Sequence, residues 1–284
     1  MAKKKSAAQA KTEALIEKLE AGIKSVTDSE SWQKWLDMQA QFHSYSANNS
    51  FLIMLQCPHA SRVAGYRAWQ KLGRQVRKGE KAIRILAPRM VTFTTENEDG
   101  EKEKRRAVRG FFNVSVFDVS QTEGEPLPEI AHKLHADTGA GRELRRRLEC
   151  IAEEEGCRVV TEDLRPGLGG TYNHINQEIT LNGNHSPDQQ TKTLAHELAH
   201  HFMHELFDDI PQGQVETEAE SVAYIIGQHF GLQADSYSFG YLAAWGKGET
   251  DTLKKAMQRI ANTSGDLIER IAKMEETSAE AAAD

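Results

Sequence analysis

The sequence predicts an α+β chain of two domains, and three features carry that reading. Apolar residues recur at helical spacing from Thr12 to Leu72, and the pattern then turns to β-branched alternation between Ala82 and Phe117. Residues 120–141 are enriched in Pro, Gly and small polar residues, as an interdomain linker is. A second series of helical and strand patterns follows. With 284 residues, 39% of them hydrophobic and 27% charged, the chain is long enough for two ordinary cores.

The elements follow in order. Residues 1–11 read as a flexible basic tail. Leu15, Ile16, Leu19 and Ile23 make one helical face. Ser29 or Ser31 caps a second helix, whose apolar positions are Trp32, Trp35, Leu36, Met38 and Phe42. Ser46–Cys57 reads as a third helix and Val63–Leu72 as a fourth, stopped by Gly73. Ala82–Pro88 with Met90–Thr94, and then Gly110–Phe117, read as hairpin strands separated by the charged stretch Glu96–Arg106. After the linker come a charged helix at Arg142–Glu155 and a short strand at Arg158–Thr161. A hairpin pair follows at Gly170–Tyr172 and Glu178–Leu181. Pro187–Leu206, Val215–Phe230 and Asp251–Met274 read as helices, with Gly231 ending the second. The expected boundaries are 12–125 for an N-terminal domain of helices plus a β-hairpin, 126–141 for the linker, 142–275 for the C-terminal domain and 276–284 for a polar tail.

Several classes are excluded. The longest strongly apolar run, Phe51–Leu55, is far short of the roughly 20 residues of a membrane helix. No apolar stretch follows the basic start, so no secretory signal is expected. Cys57, Cys150 and Cys157 are odd in number and show no paired spacing, which fits reduced thiols in a cytoplasmic protein.

Charge divides the chain. The net charge of −7 hides a basic first half, because Ser61–Thr94 holds nine bases and only one acid, Glu80. Such asymmetry points to a polyanionic partner for that half alone.

The second half carries the chemistry. His196-Glu-Leu-Ala-His200 lies inside the Pro187–Leu206 helix. Histidines at i and i+4 share one helical face, so their imidazoles can reach a single zinc ion. Glu197 projects toward the same cavity and can take a proton from a metal-activated water. Leu194, Leu198 and Phe202 are left for the core. His204, four residues after His200, reads first as a partly exposed helix histidine, with an outer contact or substrate binding as the alternatives, whereas His174, His185 and His229 read as structural. The strand at Gly169–Tyr172 can hold an extended substrate, its glycines letting another backbone come close. Tyr172, Tyr224, Tyr241 and His204 are candidate donors to a developing oxyanion.

The helix resembles that of thermolysin-like metallopeptidases, whose third metal ligand is a Glu on the next helix. That implies Glu220, 20 residues after His200, with Glu216 as second choice because some relatives carry a Glu-x-Glu-Ala pattern. His196-Glu-Leu-Ala-His200 and the Glu216-to-Tyr224 helix also resemble ImmA/IrrE-like zinc metallopeptidases, over about 140–245. The first half resembles the single-stranded-DNA-binding domain of ArdC-type antirestriction proteins, over about 30–124. The matching residues are His43-Ser-Tyr45-Ser-Ala-Asn48-Asn49, Gln56-Cys-Pro58, Val63 to Lys81, and Val116 to Gly124.

The resemblance implies a zincin-like C-terminal domain with Zn²⁺ on His196, His200 and Glu220, and Glu197 as general base toward a protein or peptide. It implies single-stranded DNA as the other partner. Arg67, Lys71, Arg74, Arg77, Lys78 and Lys81 would follow the phosphates, while Tyr45, Tyr66 and Trp69 would stack on bases and Asn49 sits in the matched motif. The alternative is a single-strand-binding antirestriction factor whose metal site is structural or regulatory.

Overall fold

Apolar spacing sets the helices of the first sixty residues. In the computed structural model, which describes residues 7–26, 28–96, 102–127, 140–204, 210–232, 237, 239 and 250–281, helix α1 spans Ala7–Lys24 and buries Leu15, Leu19 and Ile23. Residues 7–11, expected as tail, are thus its first turn; 1–6 lie outside the described residues. Helix α2, Ser29–Gln41, is capped by Asp28, whose carboxylate accepts from the Ser31 N–H at 2.8 Å, rather than by Ser29 or Ser31. Helix α3 spans Ala47–Gln56. The expected fourth helix is shorter than its apolar pattern. Val63–Ala64 is a strand, β1, and only Tyr66–Lys71 is helical, α4.

Strands β2 (Arg74–Val76), β3 (Ile83–Glu96) and β4 (Lys102–Asp118) follow, then β5 (Thr122–Gly124). β3 and β4 pair antiparallel out to Glu96 and Lys102, so part of the charged stretch expected as loop is ladder. The register shifts between Pro88 and Met90, and opposite the shift Gly110 takes φ 116°, a conformation that disfavours any residue with a Cβ.

The chain divides into two compact units, 1–24 with 48–127, and 25–47 with 128–284. In the first, α1 lies on the base of the β3–β4 ribbon, whose strand order is β1-β4-β3. Phe51, Leu52, Ile53, Trp69, Ile83, Ile85 and Val116 are buried there.

Residues 25–47 belong to the second compact unit. The sequence reading puts 25–47 in the N-terminal domain, yet α2 packs on a helix far downstream, α7, Gln212–Phe230. Trp32 and Trp35 are fully buried; the Trp32 indole donates to Ser221 Oγ at 3.0 Å and Tyr224 donates to Asp37 at 2.6 Å. Helical periodicity declares an apolar face but not the element that covers it.

Helix α5 spans Ala140–Glu154; residues 128–139 of the expected linker lie outside the described residues. Strands β6 (Arg158–Glu162), β7 (Gly170–Asn173) and β8 (Glu178–Asn182) form a sheet in the order β6-β8-β7. β6 runs parallel and β7 antiparallel to β8, which leaves β7 at an edge. Helix α6, Pro187–Met203, packs on β7, β8 and α7, starting at a Ser186 cap with Pro187 in its first turn. Leu194 and Leu198 have no exposed surface, and burying each contributes about 1.5–3 kcal/mol. Gly231, at φ 74°, ends α7 as expected. Helix α8, Thr250–Ala281, packs on α7 and α5 and continues through 276–281, expected as tail. Among the described residues no helix is long and apolar enough to cross a membrane.

Candidate metal centre and its cleft

Helices α6 and α7 bring three side chains together. The Nε2 atoms of His196 and His200 are 3.1 Å apart. Glu216 Oε2 lies 3.4 Å from the first and 3.8 Å from the second. A triangle with those sides has its centre about 2 Å from every corner, the length of a zinc–nitrogen or zinc–oxygen bond. Two imidazoles and a carboxylate also form the donor set expected of a site for a divalent cation. The three residues therefore fit one.

Glu220, the expected third ligand, stands elsewhere. Its Oε2 is 3.2 Å from Nδ1 of His196, and its Oε1 takes Lys192 Nζ at 2.9 Å. Glu216 and Glu220 are one turn apart on the same face of α7, and the offset between the helices puts the earlier one opposite the two Nε2 atoms. Glu220 instead holds the far side of His196 and fixes which nitrogen turns inward.

His200 has a comparable support. Its Nδ1 lies 3.1 Å from Nδ1 of His204. His204 is buried, and its Nε2 lies 3.5 Å from Glu218, which has no exposed surface. Glu218 in turn receives Gln214 at 2.7 Å and both Nε (2.8 Å) and Nη2 of Arg259 on α8.

The electrostatics of the cluster favour a cation. Burial opposes charge on His196, but the carboxylates of Glu216 and Glu220 outweigh it and raise its pKa to about 9. Hydrogen bonds from His196 and His200 hold Glu216 well below the usual carboxylate range. Glu197 is shifted the other way. It is buried beside the pair, and burial raises it against the pull of His196, His200 and a backbone hydrogen bond from Tyr172.

A cleft of about 610 Å³ opens over the cluster, lined by β7, α6 and α7, with Tyr172, Glu197 and Glu216 among its walls. Gly170 serves the packing of this wall. A Cβ there would meet Thr180 O at 2.7 Å and Thr193 Cγ2 at 2.7 Å, so glycine lets β7 lie against α6. His174, read from the sequence as structural, also lines the cleft, with its ring 4.4 Å from that of Tyr172. Its position just beyond the Gly-Gly-Thr-Tyr strand was the available signal. Of the expected oxyanion donors, Tyr172 hydroxyl pairs with His201 Nδ1 at 2.7 Å and Gln177 at 3.1 Å. Tyr224 is bound to Asp37 and Gln33, His204 stands behind His200, and Tyr241 lies outside the described residues.

The residues expected to bind nucleic acid are mostly occupied by the fold. Trp69 is buried and donates its indole N–H to Phe117 O at 2.9 Å, so it has no face free for a base. Asn49 bridges the N–H and C=O of Leu86, both at 2.9 Å. Arg74 donates to Thr122, Gly124 and Glu125, and Arg77 to Glu80 and to Ser120 O. Tyr45 is half-buried in the other unit, edge-on to Phe42. Arg67, Lys78, Lys81 and Tyr66 are exposed.

Both halves of the chain are similar to known proteins. Residues 5–117 match the N-terminal domain of anti-restriction factor ArdC, and residues 152–230 match the IrrE N-terminal-like domain. The first stretch is thus similar to an ArdC-type domain and the second to an IrrE-like domain. Two crystal structures of antirestriction ArdC protein from the R388 plasmid share the fold. The metal-free one matches at TM-score 0.51 and 24% identity, covering 81% of this chain and 86% of that one. The Mn(II)-bound one matches at TM-score 0.54 and 20% identity, covering 92% and 96%. The chain is similar in fold to ArdC along most of its length. It is also 25% identical over 315 residues to an uncharacterized Bacillus anthracis protein, pXO2-81, across 95% of this chain and 53% of that one. The chain therefore spans about half the length of that curated relative.

Proposed function

We propose that this protein is a zinc-dependent peptidase joined to a domain that binds single-stranded DNA, and that it acts in the cytoplasm in antirestriction or mobile-element biology. The observation that carries the peptidase half is the convergence of His196, His200 and Glu216, with Glu197 buried on the same cleft. In this reading the three hold Zn²⁺, or another divalent cation such as the Mn(II) of the ArdC crystal structure. The bound cation supplies the Lewis acidity that polarises a scissile carbonyl and acidifies a water. Glu197 accepts the proton of the attacking water and returns it to the leaving amine. The open edge of β7 takes the substrate as an added strand, which aligns the peptide over the cluster.

A variant that separates base from ligands tests this. Glu197→Gln should keep the metal content of the wild type by mass spectrometry while losing cleavage of labelled casein and of a peptide library. Equal cleavage by both proteins overturns the mechanism. A second reading, a DNA-binding factor whose metal is structural, draws on the basic first half. Single-strand binding by the full chain, with no cleavage of any probe, selects it.

A further inference from the structure

The outer part of the β3–β4 ribbon carries large apolar side chains that its fold leaves uncovered. Met90 is 51% exposed, Phe93 43%, Phe111 51% and Phe112 41%. Adjacent residues of a strand point to opposite faces, so Phe111 and Phe112 cannot both be buried against one layer. Residues directly opposed across an antiparallel ladder share a face. The register therefore puts Phe111 with Pro88, Met90 with Val108, Arg106 with Thr92 and Lys104 with Thr94 on one face. The other face holds Phe112 with Ala87, and Phe93 with Arg105.

The same two strands carry seven bases (Arg84, Arg89, Lys102, Lys104, Arg105, Arg106 and Arg109) against the acids Glu96, Glu103 and Asp118. Asp118 is buried at the base of the ribbon. A protein surface or a second copy would complement the apolar groups. The cations beside them call for an anionic partner as well. Cations interleaved with exposed aromatic faces suit a phosphate backbone with unstacked bases.

We propose that the β3–β4 ribbon is the single-stranded nucleic-acid platform of this protein. On one face bases stack on Phe93 and Phe112 beside Arg89, and the nucleic-acid strand passes over the ribbon's edge to Phe111, Lys104 and Arg106 on the other. This rests on the nucleic-acid reading above and moves its contacts from Trp69, Arg74 and Arg77 to a surface that the resemblance did not indicate.

The test titrates the full-length protein into fluorescein-labelled oligo(dT), with oligo(rU) and a duplex as further arms. Phe93→Ala, Phe111→Ala and Phe112→Ala should each weaken oligo(dT) binding about 5- to 150-fold, the range for losing one base–aromatic stack. Phe112→Trp should restore it. Lys104→Ala and Arg106→Ala should each flatten the salt dependence by about 0.7 in log–log slope, the value for one single-strand phosphate contact. These side chains are exposed, and unchanged circular dichroism will report an intact fold. Wild-type affinity in all five alanine variants overturns the placement while leaving single-strand binding standing. Failure of the wild type to bind any single strand overturns both. Tighter binding of the duplex than of either strand overturns the stacking platform. If the variants instead break up an oligomer in sedimentation while still binding oligo(dT), the ribbon is a face between copies and the proposal fails.

Discussion

The Nδ1 atoms of His200 and His204 sit 3.1 Å apart, so one must donate and the other accept. His200 turns Nε2 toward His196 and Glu216, so with a cation held there its proton would sit on Nδ1. His204 then accepts at Nδ1 and carries its own proton on Nε2, facing Glu218. The Glu218 carboxylate is held by Arg259 of α8, so a polar chain runs from that helix to the His200 imidazole. Outer partners of this kind fix the tautomer and angle of a ligand. His204→Ala should therefore lower metal affinity about 10- to 100-fold, read by competition with a chromophoric chelator. His204→Gln, which keeps an acceptor, should lose less. Equal affinity in all three proteins would assign His204 to packing alone.

Glu216 and Glu220 should separate cleanly. Glu216 Oε2 lies within 3.8 Å of both inward-facing nitrogens, whereas Glu220 contacts the outer nitrogen of His196. Glu216→Ala should leave purified protein without stoichiometric metal. Glu220→Gln should still load, with affinity reduced about 10- to 100-fold as for other outer partners. The reverse ranking in metal analysis would restore Glu220 as the ligand.

What the sequence made legible, and what it did not, follows from the range of each signal. The His196–His200 pair and the Gly231 stop are local patterns one turn long, and local spacing is visible in a single chain. The choice between Glu216 and Glu220 is not, because residues at i and i+4 share a face and only the axial offset of α6 against α7 decides. Trp69 shows the same limit. An aromatic among cations is ambiguous until the carbonyl of Phe117 is brought to its indole N–H. Helix α2 was legible as an amphipathic helix but not as a brace for α7, since its partners Ser221 and Tyr224 lie 189 and 191 residues away. The adjacent Phe111 and Phe112 were a usable signal. Two neighbouring strand residues cannot both face one core.

The close approach of β7 to Thr180 of β8 and Thr193 of α6 makes Gly170 intolerant of even a methyl group. Its Cβ would fall 2.7 Å from a backbone oxygen, which cannot turn aside as a flexible side chain would. Gly170→Ala should destabilise the second unit by about 1–3 kcal/mol, as overpacking does, measured by urea unfolding. It should also push the cleft wall away from the cluster and weaken peptide capture. An unchanged midpoint would mean that β7 shifts freely, and that the edge strand is not held in register by this contact.

Asp118 gives the first unit a pH-dependent term. Burial opposes its charge, but hydrogen bonds from Ser120 and from the backbone N–H groups of Ser61 and Arg62 outweigh burial and hold its pKa below the ordinary value. The Ser61 contact is 2.8 Å and the Ser120 contact 2.9 Å. A depressed folded-state pKa stabilises the native state above the unfolded aspartate pKa, about 3.9, and that contribution disappears as pH falls through the folded value. Asp118→Asn removes the charge at every pH. The stability gap between wild type and Asp118→Asn should thus be constant from pH 7 down to about pH 5 and close steadily below about pH 4. Urea unfolding at a series of pH values, monitored by a probe in the β3–β4 ribbon, measures the gap. A gap that widens toward acid would mean that Asp118 is protonated in the folded protein and that its three N–H partners are held some other way.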